Sequence, residues 1–428
     1  MKRQYKDSGI PWIGMIPSDW EVEPIGRNIH EVDNPNVGGT ETNALQFKAG
    51  TIISKSVGDS KYHPTTLEAY NVVDEGVIML NGLNLSFDLI SQRVGLVQEK
   101  GVITSAYLAI KPNERIKSEF LTYLFKAYDA RKALHAMGKG LRQTLAWKEL
   151  KCYSVVYPPL PTQQRIADFL DRKCAEIDEL AALQETMIAE LKRYKQSVIT
   201  EAVTKGIRNE ELGMRNYKPS GVEWIGEIPE GWNVCRLKDI LKRPLQYGAN
   251  ESGIPFNEEL PRYVRITDIS DNNLRDDLIK QSLTEEQADG YILEHNDILF
   301  ARSGGTVGKA FIYKQEYGRC AFAGYLIKAV IKKGDARFVY YYTQTHCYEE
   351  WKRRIFIQAT IQNIGADRYS IMEMPVPPLA EQRAIADYLD RKCAEIDELI
   401  AVKQQKIEAL KEYKKSVIFE YVTGKNEI

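Results

Sequence analysis

The sequence predicts an α+β protein in which two mixed α/β domains are separated by two long antiparallel helices that form a coiled coil. Three observations predict this fold: an internal repeat, a β-rich middle in each copy of the repeat, and a long uninterrupted helical segment after each middle. The chain of 428 residues is also long for one hydrophobic core, since domains hold about 150 residues. Two halves built on one pattern favour a pseudo-twofold relation between them.

The internal repeat is marked by two pairs of similar segments. One pair is YKDSGIPWIGMIPSDW, which begins at Tyr5, and YKPSGVEWIGEIPEGW, which begins at Tyr217. The other is PPLPTQQRIADFLDRKCAEIDEL from Pro158 and PPLAEQRAIADYLDRKCAEIDEL from Pro377. The stretch LDRKCAEIDEL is identical in both copies. Each half therefore has the same two ends, and self-similarity of this kind organises the whole chain.

The middles of the two halves diverge, and each contains short β-prone runs between turn residues. The runs Gly76–Gly82 and Asp297–Ala301 are typical of strands. A shared scaffold with two dissimilar middles favours one task performed on two different targets. Drift after duplication is the alternative, although the near-identical ends argue that drift has not run far.

A helix is predicted late in each middle. In the first half, Ser118 is a candidate N-cap for a helix over 119–137, and Gly138 is its stop signal. In the second half, Asp335 is a candidate cap for a helix that begins at Ala336. Each middle is therefore predicted to be a mixed α+β domain.

A long helix is predicted after each proline pair, Pro158-Pro159 and Pro377-Pro378. Apart from Pro161, no Gly or Pro interrupts these segments before Thr204 and Thr423, which at 1.5 Å per residue gives rods of about 60 Å. A mostly apolar heptad seam favours packing of the two rods as a coiled coil. Its predicted a and d positions are Leu170, Lys173, Ile177, Leu180, Gln184, Met187, Leu191, Tyr194 and Val198, and in the second copy Leu389, Lys392, Ile396, Leu399, Lys403, Lys406, Leu410, Tyr413 and Val417.

These signals divide the chain into five predicted segments. They are a first mixed domain at 1–157, a first helical spacer at 158–204, a linker at 205–216, a second mixed domain at 217–376 and a second helical spacer at 377–425.

Composition excludes several classes of protein. The 58 Lys and Arg nearly balance the 59 Asp and Glu, so the chain lacks the strong positive charge of polybasic nucleic-acid or membrane tethers. No run approaches the roughly 18 apolar residues that span a bilayer, and no secretory core follows the first residues. We therefore expect a cytoplasmic protein with no membrane partner.

Motifs for catalysis or metal binding are weak in this sequence. The six cysteines show no Cys-x-x-Cys spacing, and the five histidines form no metal-binding motif. The Gly-rich segment Ser303–Lys309 lacks the first glycine of a phosphate loop and is followed by Ala310 in place of Ser or Thr. The sequence therefore predicts neither a catalytic residue nor a metal site in this chain.

Basic residues interleaved with amides recur after the predicted helix of each middle. Arg and Lys suit guanine edges and phosphates, and Asn and Gln suit adenine edges, so such strips are candidates for DNA contact. A solvated charged surface is the alternative. The predicted DNA-binding residues are Lys139, Arg142, Gln143 and Lys148 in the first half, and Arg302, Thr306, Lys309, Arg353, Arg354, Gln358, Gln362, Asn363 and Arg368 in the second.

The whole chain resembles the specificity subunits of type I restriction-modification systems. The resemblance rests on the duplicated Trp-Ile-Gly-x-Ile-Pro-x-x-Trp opening, on the PPLxxQ helix starts followed by LDRKCAEIDEL, and on Asp297–Arg302 with the Gly-rich segment after it. The first half departs from this pattern, because it has Asn81-Gly82-Leu83-Asn84 where the second half has Arg302 and the glycines.

The resemblance implies a function that periodicity does not supply. The two mixed domains would be target recognition domains, each reading one half of a bipartite, asymmetric site in double-stranded DNA. The helices would separate them and dock two modification subunits, which bind S-adenosylmethionine and methylate adenine. Restriction subunits would add cleavage and translocation driven by ATP with Mg²⁺, while this chain would bind no cofactor and catalyse nothing.

Two other functions remain open at the level of sequence. A coiled-coil scaffold of the same shape would bind proteins with its two mixed domains, a hypothesis that the neutral net charge permits. An autonomous nuclease or methyltransferase is disfavoured by the missing motifs.

Overall fold

The chain forms two compact units, and each contains parts of both sequence halves. The computed structural model describes residues 3–48, 50–55, 67–87, 92–140, 143–207, 215–270, 273–357 and 363–428. The first unit holds Met1–Glu185 with Gln404–Ile428, and the second holds Thr186–Lys403. Each unit thus joins one globular part to a segment of each long helix. We call these globular parts the first head (residues 3–157) and the second head (residues 217–376).

The first head mixes short strands with short helices. Its strands are β1 (Tyr5–Asp7), β2 (Met15–Pro17), β3 (Glu21–Pro24), β4 (Ile29–Glu31), β5 (Leu45–Lys48), β6 (Thr51–Ser54), β7 (Tyr70–Val73), β8 (Ile78–Leu80), β9 (Val94–Leu96), β10 (Gly101–Thr104), β11 (Leu108–Pro112) and β12 (Ser154–Tyr157). Its helices are α1 (Ile25–Asn28), α2 (Ser118–Ala130), α3 (Ala133–Met137) and α4 (Trp147–Leu150), and the long helix α5 (Leu160–Lys205) follows.

The second head has the same kinds of element in a similar order. Its strands are β13 (Tyr217–Pro219), β14 (Glu227–Pro229), β15 (Asn233–Arg236), β16 (Gln246–Tyr247), β17 (Ile254–Pro255), β18 (Arg262–Val264), β19 (Ile269–Ser270), β20 (Asn273–Leu274), β21 (Gln281–Ser282), β22 (Ile298–Ala301), β23 (Ala310–Ile312), β24 (Cys320–Phe322), β25 (Leu326–Ala329) and β26 (Glu373–Val376). Its helices are α6 (Leu237–Ile240), α7 (Glu285–Ala288), α8 (Ala336–Tyr342), α9 (His346–Ile357) and α10 (Ala366–Ser370), and the long helix α11 (Leu379–Val422) follows.

Each head contains a four-stranded antiparallel sheet with the same arrangement, which we call the shared sheet. The rest of the β structure differs between the heads. The shared sheet has the order β4–β11–β8–β9 in the first head and β16–β25–β22–β23 in the second. The second head adds the sheet β17–β21–β18–β24, in which β18 and β24 are parallel. In the first head, the strand pairs β7–β10 and β5–β6 occupy this part of the chain. The predicted α+β fold class is confirmed, and the divergence of the middles lies outside the shared sheet.

Of the two helix caps predicted for the heads, one is confirmed and one is wrong. The side chain of Asp335 accepts the main-chain N–H groups of Arg337 and Phe338, so it caps α8 as predicted. The helix predicted over 119–137 is instead broken into α2 and α3, because Lys132 takes a left-handed conformation with φ of 59°. Ser118 lies inside α2 and donates its hydroxyl to the carbonyl of Gly76.

The two long helices run antiparallel inside each unit. In the first unit, Lys414 Nζ lies 2.6 Å from Asp178, and the rings of Phe169 and Tyr421 are 4.5 Å apart. In the second unit, Lys195 Nζ lies 2.7 Å from Asp397. Rising residue numbers on one helix therefore meet falling numbers on the other, which agrees with the predicted antiparallel arrangement.

The heptad phase predicted for these helices is wrong at several of its d positions. Leu180, Tyr194, Leu399 and Tyr413 are 46%, 52%, 51% and 51% exposed, although they were assigned to the buried seam. The buried or half-buried positions alternate by four and three residues instead: Leu170, Cys174, Ile177, Ala181 and Gln184, and in the second copy Leu389, Cys393, Ile396, Ile400 and Lys403. The small Cys174 and Cys393 face the protein interior, while Lys173 and Lys392 turn toward solvent and pair with Glu176 and Glu395.

Each repeated opening packs on the end of the long helix that comes from the other half. In the first unit, a Cβ at Gly424, just beyond the end of α11, would lie 2.5 Å from Pro17 and 3.0 Å from the buried ring of Trp20. In the second unit, Lys205 at the end of α5 donates to the carbonyl of Glu227. In each unit, the duplicated opening therefore packs against the C-terminal end of a long helix.

A buried glutamine attaches each head to the start of its long helix. The Oε1 atom of Gln163 accepts the main-chain N–H of Lys117 at 2.8 Å, and its Nε2 donates to the carbonyl of Pro158 at 2.8 Å. Gln382 accepts the N–H of Asp335 at 2.8 Å in the same way. These bonds explain the glutamine of the PPLxxQ motif, because a buried amide is stable only when its hydrogen bonds are satisfied.

Replacing this glutamine should loosen the attachment of the head. We expect Gln163→Ala to lower the free energy of unfolding by about 1–3 kcal/mol, since the Lys117 N–H and the Pro158 carbonyl lose their partner. Urea unfolding followed by circular dichroism measures the change. Gln164→Ala is the matched control, because among the described residues the Gln164 side chain donates to Asp168 on its own helix and to nothing in the head. Equal losses from the two variants would contradict the role of Gln163.

Candidate nucleic-acid interface

The Gly-rich loop of the second head is the turn of a rigid hairpin. Strands β22 and β23 pair, and the Ala301 N–H donates to the carbonyl of Lys309 at 2.8 Å. The hydroxyls of Tyr348 and Tyr369 donate to the carbonyls of Gly308 and Ala301 at 2.7 and 2.8 Å. Burial raises the pKa of both hydroxyls well above the usual range, so both remain protonated donors.

Two further segments lie against this loop. The Ile364 N–H donates to the carbonyl of Arg302 at 2.9 Å, and Ser303 forms a β-bridge with Asn363. The Arg302 N–H donates to the carbonyl of Tyr325 at 3.0 Å. Three loops that are distant in sequence therefore meet at one end of the shared sheet.

Five of the predicted DNA-binding residues belong to this cluster of loops. Lys309 and Asn363 are exposed, whereas Arg302 and Thr306 are half-buried. The exposed Arg368 lies on α10, whose first N–H, at Ala366, donates to the hydroxyl of Tyr247. The structure thus brings together residues that the sequence places more than sixty positions apart.

Arg302 differs from the two arginines of α9 because its positive charge is not paired with a carboxylate of the described residues. Its guanidinium carbon lies 4.9 Å from the centre of the Tyr247 ring, and no described acidic residue pairs with it. Arg353 and Arg354 both pair with Glu350, at 2.6 and 3.3 Å. Hydrogen bonds from Arg353, aided by those from Arg354, lower the pKa of the Glu350 carboxyl to about 2. The charges on α9 are therefore offset locally, whereas that of Arg302 is available to a ligand.

Arg354 is also used inside the protein. It pairs with Glu223 at 3.0 Å, and its guanidinium lies 5.2 Å from the centre of the Trp224 ring. These contacts join α9 to the repeated opening of the second unit. The DNA contacts predicted for Arg353 and Arg354 remain predictions, and their ion pairs would have to open or rearrange in a complex.

The first head has an equivalent pair of loops with different side chains. The Leu145 N–H donates to the carbonyl of Gly82 at 2.9 Å, in the place of the bond between Ile364 and Arg302. A Cβ at position 82 would lie 2.3 Å from the Leu145 carbonyl oxygen, so this close approach requires glycine. The loop position that carries Arg302 in one head carries no side chain in the other.

Of the predicted residues of the first head, Lys139 and Gln143 lie on the second loop of this pair. Lys139 and Thr144 exchange two main-chain hydrogen bonds, at 3.0 and 3.1 Å, and close a short turn. Gln143 on this turn is exposed, as is Lys148 on α4. Arg142, together with Gln358 and Gln362 of the second head, lies outside the described residues.

Arg93 holds the first loop of the first head and was missed by the sequence analysis. It is 1% exposed, and its Nη1 donates to the carbonyls of Asn81 and Leu83, each at 2.9 Å. The Asn81 N–H in turn donates to the Arg93 carbonyl, as Ala301 does to Lys309. Arg93 therefore occupies the position of Lys309 but points inward, and no signal in the sequence separates these two orientations.

Tyr247 and Tyr325 were also missed, because β16 and the turn before β25 become neighbours of the Arg302 loop only in the folded sheet.

Metal-binding and membrane-spanning features have no support in the parts of the chain that the structure describes. No group of His, Cys, Asp and Glu side chains among those residues has the arrangement of a metal site. None of the helices described there has the length and apolar character needed to span a membrane.

Comparison with known families identifies this architecture. A family model described as the type I restriction modification DNA specificity domain matches residues 94–193 and 229–411, about two thirds of the chain. The chain belongs to this family. The resemblance inferred from the repeated motifs is confirmed, and the matched ranges include the turn closed by Lys139 and Thr144 and the loop that carries Arg302.

Relatives of the specificity family match over nearly the full chain or over about half of it. The chain is 23% identical over 431 residues to the specificity subunit of the type I restriction enzyme MjaVIII from Methanocaldococcus jannaschii, covering 96% of this chain and 93% of that one. It is 27% identical over 210 residues to the EcoKI specificity subunit of Escherichia coli, covering 47% and 44%.

Solved structures show the same fold. A chain from a study of complex assembly and conformational transition in the type I restriction-modification system has a TM-score of 0.72 at 17% identity, covering 96% of this chain and 99% of that one. The HsdS subunit of Thermoanaerobacter tengcongensis has a TM-score of 0.52 at 17% identity, covering 96% and 98%. The shared fold therefore persists where the sequences have diverged widely.

Removing the available charges of the Arg302 loop should weaken DNA binding. We expect Arg302→Ala with Lys309→Ala to reduce affinity about tenfold or more, because the loop loses two cations that no described acid neutralises. Electrophoretic binding across a salt series, with modification subunits supplied, measures affinity and the number of phosphate contacts. Arg353→Ala is the control, because Glu350 already offsets that charge. A larger loss from the control than from the double variant would remove this loop from the interface.

Proposed function

We propose that this chain is the non-catalytic DNA-reading subunit of a type I restriction-modification complex, in which each head recognises one half of a bipartite, asymmetric site in double-stranded DNA. The observation that carries the proposal is the pair of equivalent loop junctions, Gly82 with Leu145 and Arg302 with Ile364. The scaffold at these junctions is the same, while the side chains differ. This is the arrangement expected of two readers with different targets.

The chemistry of the second junction supports DNA as its ligand. Arg302, Lys309 and Arg368 present positive charge, and Asn363 adds an amide beside them. Cations contact phosphates and guanine edges, while amides pair with adenine. This composition suits the major groove better than the apolar centre of a protein interface.

The long helices are proposed to dock two modification subunits. Each unit exposes an equivalent set of apolar side chains on its helix pair: Leu180, Leu183 and Tyr413 in the first unit, and Leu399, Val402 and Tyr194 in the second. Lys414, next to Tyr413, pairs with Asp178, two residues before Leu180. Lys195, next to Tyr194, pairs with Asp397, two residues before Leu399. Two equivalent apolar surfaces on similar, repeated segments fit two copies of one partner.

The remaining chemistry is assigned to the partner subunits. The modification subunits would bind S-adenosylmethionine and methylate adenine, and the restriction subunits would use ATP and Mg²⁺ for translocation and cleavage. This chain would bring no cofactor, and the complex would act on DNA in the cytoplasm. Methylome sequencing with and without this chain tests the proposal, because a bipartite methyladenine motif should disappear when the chain is removed.

Exchanging one head should change one half of the recognised site. We expect replacement of residues 217–376 by the corresponding domain of another specificity subunit to alter one half of the methylated motif and leave the other half unchanged. Methylome sequencing of cells that carry the hybrid measures both halves, and the parental chain is the control. A change in both halves would contradict the assignment of one half-site to each head.

Charging the exposed apolar side chains should release one modification subunit at a time. We expect Leu180→Asp to lower the complex from two modification subunits to one, and Leu180→Asp with Leu399→Asp to leave none, because both surfaces lose their apolar contact. Native mass spectrometry counts the subunits. Ala175→Asp is the matched control, since it is exposed on the same helix and lies about 140° around the axis from Leu180. Unchanged stoichiometry in the double variant would contradict this docking surface.

A further inference from the structure

The main chain of Arg302 is fixed on both sides. Its N–H donates to the carbonyl of Tyr325 at 3.0 Å, and its carbonyl accepts the N–H of Ile364 at 2.9 Å. The strand before it is held by the hydroxyl of Tyr369, which donates to the carbonyl of Ala301. The Cα atom of Arg302 therefore has little freedom to move, and the direction in which the side chain leaves the loop is set by the fold.

The side chain of Arg302 is oriented by an aromatic ring and not by a carboxylate. Its guanidinium carbon lies 4.9 Å from the centre of the Tyr247 ring, within the range of a cation–π contact. The Nε atom is buried, and none of the described residues accepts a hydrogen bond from it. Contact with a ring face restrains a planar guanidinium while leaving the donors at its edge available. This distinguishes Arg302 from Arg337 and Arg353, whose forks are occupied by carboxylates.

Tyr247 is itself held at both ends. Its main chain pairs with Ile327 in the shared sheet, and its hydroxyl accepts the N–H of Ala366 at 3.0 Å. The next residue is Gly248, where a Cβ would lie 2.3 Å from the carbonyl oxygen of Ala323. A larger residue would push this segment off the sheet, so the position of the ring depends on that glycine.

We infer that Arg302 reads a guanine in the half-site of the second head, and that Tyr247 is the residue that positions its guanidinium. The inference rests on the proposed function and makes it more specific. A phosphate contact needs only a positive charge, which a mobile lysine supplies equally well. Bidentate donation to O6 and N7 of guanine needs a planar fork held in one orientation. The fixed main chain, the ring and the free donor edge of Arg302 together meet that second requirement.

The first head has no arginine held against a ring at the equivalent position, so it serves as an internal control. Gly82 stands at the equivalent loop position, so no side chain projects there. A change at Arg302 should therefore alter one base preference in one half-site and leave the other half-site unaffected.

The test uses the complex of the full chain with its modification subunits and a DNA library randomised across both half-sites. The wild-type complex should select guanine at a position of the second half-site. In Arg302→Lys, which keeps the charge and loses the fork, that preference should fall about 10- to 100-fold. The salt dependence of binding should stay the same, because the number of cations is unchanged.

Variants of Tyr247 separate positioning from general structure. Tyr247→Leu removes the ring face and should weaken the same guanine preference. Tyr247→Phe keeps the ring face and should retain most of the preference, although it loses the hydrogen bond from Ala366. Lys309→Ala is the comparison, because loss of a phosphate contact should weaken all sequences uniformly and lower the salt slope by about 1.

Two results would overturn the inference. One is an unchanged guanine preference in Arg302→Lys, and the other is a uniform loss of affinity for all sequences in that variant, which would indicate a phosphate contact. Failure of the proposed function would give a different result, because the wild-type complex would then select no bipartite site. Selection of such a site by the wild type, with no change in Arg302→Lys, defeats only the guanine contact.

Discussion

The structure depends on a core that neither half of the chain completes alone. In the first unit, Trp20 of the opening and Leu170 of α5 share one buried cluster with Val417 and Val422 of α11. In the second unit, Trp232 packs in a cluster with Val203 of α5 and Leu389 of α11. Because burying apolar surface is the main favourable contribution to folding, each head needs helix segments from both halves. The antiparallel course of the helices is what brings those segments together.

This constraint explains which parts of the repeat are alike. The opening covers a helix end, Gln163 and Gln382 fix the helix starts, and the identical LDRKCAEIDEL segments supply the helix faces. A change in any of these would disturb a core shared by both halves. The loops at the end of the sheet pack onto these clusters through Leu145 and Ile364, but at one equivalent position they carry Gly82 in one head and Arg302 in the other. Different side chains on one scaffold suit the proposed role of two heads with different targets.

Ion pairing distinguishes arginines that look alike in sequence, because some are paired with carboxylates and others are not. Arg302, Arg353 and Arg354 all belong to basic, amide-rich segments of the second half. Glu350 offsets two of them, and Glu223 draws Arg354 into the internal structure of the unit. Exposed ion pairs add little to stability. Their effect here is to set which cations are available. Of these three arginines, Arg302, which lies against Tyr247, is the one without a described counter-charge.

The sequence by itself determined the repeat, the two long helices, the strand before the Gly-rich loop and the Asp335 cap, because these depend on local patterns and on self-similarity. It also placed Arg302 and Asn363 among the candidates from residue type. Only the tertiary structure decided which helix positions are buried, with Cys174 inside and Leu180 outside. It alone turned Arg93 inward and placed Tyr247 against Arg302. These outcomes depend on contacts between segments far apart in the chain, and such contacts leave no periodic signal in the residues that make them.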